Sequence, residues 1–433
     1  MAATVTVNPP LEVGFLGTGY IADWHAEALR AVRGVRLVAA CDRDLGRVRA
    51  FAARHGVARV AGSLEELLDG GRLDAIHVLL PPDAHARAAA AILQAGIAVL
   101  LEKPMATSIA DCEGLITRAE AQGVTLGVSH NFLFAPVYQR LRDDLRAGRL
   151  GRLDEVTITW HKGLDQLQAG PFDLWMLRRP GNILLEIGPH PVAHLLDLVG
   201  PAEIRAVHAS NPLDLPGGAR FYRRWHVEAE AGAAATAVTL SFSFATGFAE
   251  QSIRVRGSLA SATVDFERNT YLLHRHTPLT MDFDRYRMTV TEANALKRQA
   301  RRTLGQVALG KVNPSFGKPY NQTLARALQA FYSQRLAGAT ATATATATAI
   351  DARLAPELGR DVVRTCLEIV RRSGVEVEGA GPAAASPAAV AATAATGPGD
   401  RPEILVLGAT GFIGRELARQ LAARGHSLRV LVR

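Results

Sequence analysis

Lysine is scarce in this chain, which has five lysines against 44 arginines among its 433 residues. The guanidinium of Arg does not release its proton in a protein, whereas the ammonium of a Lys taken out of water can do so. A cationic side chain that must exchange a proton near neutral pH is therefore expected to be one of the lysines. These lysines are Lys103, Lys162, Lys297, Lys311 and Lys318.

Cysteine is also scarce, and long apolar runs are missing. The cysteines, Cys41, Cys112 and Cys366, are odd in number and far apart, so neither a disulfide framework nor a metal site is predicted. No stretch approaches the ~20 apolar residues of a membrane helix, and the first residues lack a basic start and an apolar signal core. We therefore expect a cytoplasmic protein with no membrane partner.

Aromatic residues make up only 6% of the chain, although its net charge is +8. A nucleic-acid binder would cluster its basic residues on one surface. Here the arginines are scattered, apart from the run KRQARR at residues 297–302. We expect this run to be a solvated helix face, with contact to an anionic substrate or surface as the alternative. No nucleic-acid partner is expected.

The hydrophobic pattern predicts two domains with different arrangements of strands and helices. From residue 11 to 130, unalternating apolar strands such as HVLLPP are separated by helices, which predicts a parallel sheet covered on both faces. From residue 131 to 379, short alternating segments predict a C-terminal α+β domain with an open, mostly antiparallel sheet, followed by helices. Residues 1–10 are expected to be a tail, and the Ala- and Pro-rich residues 380–401 a linker.

A glycine-rich turn joins the first strand to the first helix. A first glycine in such a turn permits the tight bend, a second admits a pyrophosphate, and a small third residue allows close helix–strand packing. Asp42 ends the second strand, where an acid binds the ribose hydroxyls. Residues 11–130 are thus predicted to be a dinucleotide-binding Rossmann domain. The turn comprises Gly17, Thr18, Gly19, Tyr20, Ile21 and Ala22.

The residues around this turn bear on which cofactor binds. Asp42 favours NAD because a carboxylate repels a 2′-phosphate, while Arg43 beside it keeps NADP as the alternative. Pro81 and Pro82 end a strand at the edge where the cofactor is expected, or simply terminate that strand. His85 either faces the nicotinamide or caps the next helix.

Two further segments carry candidate chemistry. Glu102, Lys103 and Pro104 form a Glu-Lys-Pro tripeptide after the apolar strand VLLEKP, and Glu186 and His190 lie in the segment EIGPHP. Together with GTGYIA, CDRD and HVLLPPDAH, these motifs resemble the Gfo/Idh/MocA family of oxidoreductases over roughly residues 11–378. The resemblance implies a Rossmann domain and a second domain whose sheet covers the nicotinamide and often forms the dimer interface.

The resemblance also implies an activity, namely hydride transfer between NAD(P) and a carbinol carbon of a sugar, cyclitol or sugar nucleotide. Lys103 is then the catalytic or substrate-orienting lysine, and Glu102 helps to shape its turn, with a Lys–Pro bond expected to be cis. His190 falls on the histidine that contacts the substrate hydroxyl. Glu186 and Ala193 replace two aspartates of the family's segment, so Lys103 and His190 both stay open as the proton carrier.

The remaining expectations concern the pocket wall, the partners and a rival function. Asn131, Trp175 and Arg178 are candidate substrate contacts. A homo-oligomer formed through the C-terminal sheet is implied by the resemblance. Because Ala193 replaces an acid, the rival reading is an NAD(P)-binding regulator or sensor without turnover.

Residues 402–433 read as strand, glycine-rich turn, helix and strand. Gly408, Gly411 and Gly414 follow the first of these strands, and Arg433 ends the second. The pattern resembles the start of an extended short-chain dehydrogenase of the epimerase type, in which such an Arg reads the 2′-phosphate of NADP. A lone strand–helix–strand unit cannot cover a sheet on both faces, so we expect an incomplete second nucleotide-binding domain.

Overall fold

The computed structural model describes residues 9–216, 218–312, 319–338, 350–376, 404–407, 421 and 428–431. The expected linker and the second glycine motif, with Gly408, Gly411, Gly414 and Arg433, lie outside the described residues. The chain divides into two units. The larger unit holds residues up to 164 and from 172 to 380, and the smaller unit holds residues 165–171 and 381–433.

The first sheet of the larger unit is six-stranded and entirely parallel, with the order β3-β2-β1-β4-β5-β6. This is the Rossmann order, so the predicted N-terminal fold is confirmed. The three-residue strand β3 was not predicted, because so short a run carries no periodicity. The strands are β1 (Leu11–Leu16), β2 (Val35–Cys41), β3 (Arg59–Ala61), β4 (Ala75–Val78), β5 (Ala98–Glu102) and β6 (Leu126–Ser129).

Helices connect these parallel strands and cover the sheet. Strands β4 and β5 are buried at every position, as expected for strands with helices on both faces. The helices are α1 (Tyr20–Leu29), α2 (Leu45–His55), α3 (Leu64–Asp69), α4 (Pro82–Gln94) and α5 (Ile109–Gln122).

A 3₁₀ turn (Asn131–Phe134), a helix and a second sheet follow. The segment between the first two strands of this sheet holds four short helices, the first of which falls in the smaller unit. The helices are α6 (Pro136–Arg146), α7 (Gln166–Ala169), α8 (Trp175–Arg178), α9 (Asn182–Glu186) and α10 (Pro189–Val199).

The second sheet has seven strands in the order β13-β12-β11-β7-β10-β9-β8. All neighbours are antiparallel except β7 and β10, which run parallel. The expected mostly antiparallel sheet is therefore a mixed sheet with one parallel pair. Its strands are β7 (Leu153–His161), β8 (Ala202–Asp214), β9 (Arg220–Ala231), β10 (Thr236–Ser243), β11 (Glu250–Gly257), β12 (Ser261–Asp265) and β13 (Thr270–His274).

Three helices complete the larger unit, namely α11 (Met281–Val312), α12 (Pro319–Gly338) and α13 (Pro356–Ser373). Helix α12 packs on α1, and α13 packs on both α5 and α10. A Cβ at Gly127 in β6 would stand 2.9 Å from the Phe331 side chain, so α12 approaches this strand closely. The first sheet therefore draws part of its cover from beyond residue 131, which chain order alone does not reveal.

The smaller unit contains α7 and two short strands, β14 (Ile404–Leu407) and β15 (Leu428–Leu431), which pair in parallel. Among the described residues of both units, no helix is long and apolar enough to cross a membrane. No cluster of three or more His, Cys, Asp or Glu side chains in the described part of the chain is arranged to hold a metal ion.

Candidate active site

The two glycines of the turn after β1 are there for different reasons. Gly17 has a φ of +96°, and a Cβ at this position would stand 2.6 Å from the carbonyl oxygen of Leu79. The protein itself therefore requires glycine there. A Cβ at Gly19 would meet no atom within 4 Å, and no side chain caps the helix that Gly19 precedes. The space over Gly19 suits a pyrophosphate at the start of α1.

Asp42 fits the ribose end of a dinucleotide. Its Oδ2 accepts hydrogen bonds from the Thr18 N–H and hydroxyl, both 2.9 Å away, and its Oδ1 accepts one from the Asp44 N–H at 3.0 Å. Burial raises the pKa of Asp42, but these bonds and the Arg47 charge outweigh it, so the pKa lies below its usual value. An ionised carboxylate with acceptor capacity left on Oδ1 remains for a ribose hydroxyl.

Lys103 lies at the end of β5, where the Lys103–Pro104 peptide bond is cis as expected. Its side chain is largely buried, and its Nζ donates to the backbone oxygen of Glu186 at 2.8 Å and to Glu186 Oε1 at 3.0 Å. The end of a strand in the first domain and the end of α9 in the second thus meet through one ion pair. Two of the three ammonium protons are used, which leaves one for a ligand.

His190, in the first turn of α10, is the third candidate catalytic residue. Burial holds its pKa well below the usual value, and the charges of Lys103 and Lys162 act in the same direction. Its Nδ1 is buried and has no hydrogen-bond partner, while its ring stacks at 5.6 Å from that of Trp160. At neutral pH His190 is a neutral imidazole whose position is fixed by aromatic packing.

Two more buried histidines accompany His190. Both ring nitrogens of His130 and of His194 lack a hydrogen-bond partner among the described residues, and burial lowers their pKa values to about 4 and about 3. The His194 ring lies 4.3 Å from that of Tyr138, centroid to centroid. We call His130, His190 and His194 the unpaired histidines.

A second buried polar group was not predicted from the sequence and lies directly behind Lys103. Glu102 Oε1 bonds His25 Nε2 at 2.8 Å, His25 Nδ1 lies 3.0 Å from His77 Nδ1, and His77 Nε2 lies 2.7 Å from the Tyr332 hydroxyl. We call these four residues the paired chain. Both histidines stand at buried positions of an ordinary helix and strand, so the sequence gives no signal that distinguishes them from core residues.

The paired chain holds a charge in place. Burial raises the pKa of Glu102, but the bond and charge of His25 and the charge of Lys103 outweigh it and lower the pKa overall. Burial also holds the pKa of His77 well below its usual value. Glu102 is therefore ionised beside Lys103, whose backbone N–H it accepts at 3.2 Å.

A cavity of about 750 Å³ lies beside the Lys103–Glu186 pair and is also lined by His190 and Glu102. Its wall includes Lys103, Glu186, His190 and the first turn of α1 at Tyr20 and Ile21, together with Pro81, Pro82, Glu102 and Trp175. Three of the four tryptophans of the chain line it. The volume and the largely apolar wall with a few polar groups are typical of a small-molecule site. The aromatic residues in the wall are Tyr20, Trp24, Phe132, Trp160, Trp175, Phe266 and Tyr320.

Three residues that the sequence suggested as nicotinamide or substrate contacts do not line this cavity. His85 is buried, with its ring nitrogens 2.8 Å from the carbonyl oxygens of Leu80 and Pro104, so it supports the lysine loop instead of facing the nicotinamide. Asn131 is buried and bonds the Thr323 hydroxyl. Arg178 is exposed and pairs with Asp83. The sequence places each of them near the site, but their directions depend on packing.

Sequence comparison finds a family model and known proteins that resemble this chain. Residues 11–130 match the Gfo/Idh/MocA family model, described as an oxidoreductase family with an NAD-binding Rossmann fold. The chain is 29% identical over 263 residues to 1,5-anhydro-D-fructose reductase of Ensifer adhaerens, covering 57% of this chain and 74% of the reductase. It is 27% identical over 198 residues to D-apiose dehydrogenase of Paraburkholderia graminis, covering 46% of this chain and only 51% of the dehydrogenase.

The fold has solved counterparts over most of its length. The WlbA dehydrogenase of Bordetella pertussis, solved with NADH and UDP-GlcNAcA, superposes with a TM-score of 0.63 at 20% identity. The match covers 85% of this chain and 96% of that structure. It extends the fold likeness beyond the first domain, while the family match is confined to it. Residues 11–130 are therefore a Gfo/Idh/MocA-type NAD-binding Rossmann domain.

Proposed function

We propose that this protein is an NAD(P)-dependent oxidoreductase that transfers a hydride between the nicotinamide and a carbinol carbon of a sugar, cyclitol or sugar nucleotide. The observation that carries the proposal is the partly buried Lys103–Glu186 ion pair in the wall of a cavity that also contains His190 and the start of α1. The amine of Lys103 and the glycine-rich turn border one space. Hydride transfer from an alcohol needs both.

The residues for the cofactor follow from the fit described above. Bound NAD would supply the hydride acceptor, or the donor in the reducing direction. Gly17 permits the tight turn, Gly19 would give the pyrophosphate room at the start of α1, and Asp42 would accept a bond from the adenosine ribose. Because Asp42 is ionised and Arg43 is exposed on the surface, we propose NAD as the cofactor and keep NADP as the alternative.

Lys103 is proposed to carry the proton. In the oxidising direction its amine accepts the proton of the substrate hydroxyl, and the amine must first have lost a proton of its own. Glu186 provides the route, because its carboxylate contacts Nζ at 3.0 Å and is itself partly open to solvent. The proton then passes from the substrate oxygen to Nζ, from Nζ to Glu186 and on to water. The reducing direction reverses these steps.

His190 is proposed to orient the substrate instead of acting as the base. A neutral imidazole with a strongly lowered pKa binds a proton weakly, yet it donates or accepts one hydrogen bond at a fixed position. Its rigid packing against Trp160 keeps the hydroxyl aligned with Lys103. Alignment of this kind provides a large part of the rate in hydride transfer.

The substrate class is proposed from the wall of the cavity and the relatives. Aromatic faces pack well against the apolar face of a sugar ring, while the few polar groups bond its hydroxyls. Two similar proteins are named for D-apiose and 1,5-anhydro-D-fructose, and the WlbA dehydrogenase was solved with UDP-GlcNAcA. We therefore expect a polyol with vicinal hydroxyls, either free or attached to a nucleotide.

The test is the absorbance of the reduced nicotinamide, followed with NAD⁺ or NADP⁺ and a panel of sugars, cyclitols and nucleotide sugars. Steady reduction of cofactor with at least one of them is expected. Tight cofactor binding without reduction by any member would instead favour the regulator. Ala193, buried where the resemblance places an acid, is the observation that keeps this second candidate in view.

Two further assignments are also proposals. The open face of the second sheet is proposed to join two or more copies of the chain, which light scattering coupled to gel filtration tests. Residues 402–433 are proposed to be a second nucleotide-binding segment, supported by the parallel pairing of β14 and β15. Removal of residues 381–433 is expected to leave turnover unchanged, because the described residues that line the cavity belong to the larger unit.

A further inference from the structure

Helix α11 packs on the protein through a mostly polar face, where an apolar face is expected. The positions of this helix that are least exposed recur every three or four residues, which defines one inward face. Most of the side chains on this face are polar or small, whereas the inward face of a surface helix is normally apolar. The inward residues are Asp284, Met288, Glu292, Ala295, Gln299, Thr303, Gln306 and Gly310.

The outward side of the same helix is apolar. Phe283, Tyr286 and Leu304 are 67%, 65% and 70% exposed, and Val290 and Val307 are exposed as well. At 100° per residue these five side chains fall within one broad stripe opposite the inward face. We call them the outer stripe. The stripe has an apolar part toward each end of the helix, and Lys297 and Arg301 face the same side between these parts. Isolated exposed apolar residues are common on proteins, but several on one face mark an interaction surface.

Specific hydrogen bonds fix this orientation of the helix. Gln299 accepts from the Tyr271 N–H at 2.7 Å and donates to the Tyr271 carbonyl oxygen at 3.0 Å. Glu292 contacts His274 Nδ1 at 2.7 Å, and Asp284 accepts from the Thr277 N–H at 2.7 Å. Rotating the helix to bury its outer stripe would break all of these bonds. The apolar side is thus held toward solvent by polar contacts on the other side.

Basic charge accompanies the outer stripe. Lys297, Arg298, Arg301 and Arg302 are all exposed on this helix, and residues 293–312 contain no Asp or Glu. We call these four residues the basic run. The partner of this surface must therefore satisfy apolar groups and positive charge over one helix length, which is about 48 Å for 32 residues.

We propose that α11 docks on an anionic lipid surface, lying in the plane of the interface with its outer stripe among the acyl chains and its basic run among the headgroups. An amphipathic helix with apolar residues on one face and flanking Lys and Arg binds such surfaces. A second copy of the helix would bring two basic runs together, and in the described part of the helix Asp282 is the one exposed acid available to pair with them. Nucleic acid would meet the charges but leave the stripe uncovered.

This inference goes beyond the proposed function and does not depend on it. The expectation of no membrane partner rested on the lack of a spanning stretch, which says nothing about a helix that lies on a surface. Helix α11 contributes no residue to the cavity wall. Docking would bring the dehydrogenase to its membrane without altering the catalytic residues.

The test is sedimentation of the full chain with vesicles of phosphatidylcholine alone or mixed with phosphatidylglycerol. We expect binding to the anionic vesicles that weakens as salt rises. Arg298→Glu combined with Arg301→Glu should weaken it more than about 30-fold, since each basic residue near such a surface contributes on the order of a factor of five. The matched control is Arg33→Glu with Arg49→Glu, which changes the same charge at exposed positions of the first domain.

The stripe is tested separately from the charge. Tyr286→Ser combined with Leu304→Ser should also abolish sedimentation, whereas Phe248→Ser, at another exposed apolar position, should not. Circular dichroism and turnover of all variants should match the wild type. The proposal is overturned if anionic vesicles do not bind, if the helix variants bind like the wild type, or if the same variants instead dissociate an oligomer or release DNA.

Discussion

Two groups of buried histidines adjoin the candidate catalytic lysine, and the fold treats them in opposite ways. In the paired chain, His25 and His77 are hydrogen-bonded through both ring nitrogens, from Glu102 to Tyr332. Among the unpaired histidines, the ring nitrogens of His130 and His194 have no hydrogen-bond partner in the described part of the chain. His25, His77, His130 and His194 are all fully buried, so burial does not account for the difference.

The difference indicates a division of labour around Lys103. A chain in which every polar atom is bonded fixes one charge, the Glu102 carboxylate, at a cost that the bonds offset. Buried nitrogens without partners are unfavourable in a folded protein, and they favour the neutral form of each ring. We infer that the paired chain sets the electrostatics behind Lys103. Among the unpaired histidines, His190 lines the cavity and keeps that side of the lysine uncharged for a substrate hydroxyl.

The largest expected effect comes from removing the lysine between the two groups. Lys103→Ala should lower kcat by about 10³-fold or more, because general acid–base catalysis is lost, while NAD still binds. Steady-state kinetics with cofactor fluorescence titration measure both. Lys103→Arg keeps the charge but does not release a proton, so it should be nearly as inactive. Turnover comparable to wild type in either variant would remove Lys103 from the reaction.

Breaking the paired chain should cost stability. His77→Phe removes the bonds that His77 makes to His25 Nδ1 and to the Tyr332 hydroxyl, and the free energy of unfolding should fall by about 2–4 kcal/mol. The matched variant His194→Phe removes a ring that already lacks partners and should cost about 1 kcal/mol or less at neutral pH. Urea unfolding compares the two. Equal losses would mean that the distinction between the groups has no energetic content.

Acid should act on the unpaired histidines. In the unfolded chain His194 protonates near its ordinary pKa of 6.5, whereas in the folded state its pKa is lowered to about 3. The unfolded state therefore binds the extra proton first, so stability is complete above pH 6.5 and falls as the pH drops toward the folded value. Between about pH 7.5 and pH 5 this amounts to roughly 2 kcal/mol.

The His194→Phe variant is the control for this loss of stability at acid pH. His194→Phe should unfold with a shallower dependence on pH than the wild type over the same interval, as measured by urea titration at each pH. His130, whose pKa is lowered to about 4, should contribute a similar part that the variant retains. An unchanged pH dependence in His194→Phe would show that His194 is not held neutral.

The smallest expected effect concerns cofactor choice, away from both groups. Asp42→Ala should raise the KM for NAD about tenfold through loss of the ribose bond, and it should change the KM for NADP less. Initial rates with each cofactor give the ratio. A preference for NADP in the wild type would reverse this expectation and assign the phosphate to Arg43.

Local chemistry made the cofactor side of the molecule predictable. Gly17 must be glycine because its backbone is left-handed, and Asp42 ends a strand whose register is set by an apolar run, so both are readable without a structure. Lys103 stood out because the chain uses so few lysines. Strand β3 was missed because three residues carry no pattern.

The rest of the site depends on contacts between distant segments. The link from His77 to Tyr332 joins residues 255 positions apart, and no sequence spacing encodes it. Arg178 and Asn131 stand close to the site in the chain but turn away from the cavity, because Asp83 and Thr323 bond them. The polar inward face of α11 escaped notice because only packing reveals which side of a helix is inward.

The most direct measurement is a crystal structure of the protein with NAD⁺ and a polyol that it oxidises. Our account predicts a carbinol oxygen within hydrogen-bond distance of Lys103 Nζ, its carbon against the nicotinamide ring, and His190 bonded to the same oxygen. A polyol held elsewhere, with Lys103 still bonded only to Glu186, would contradict it.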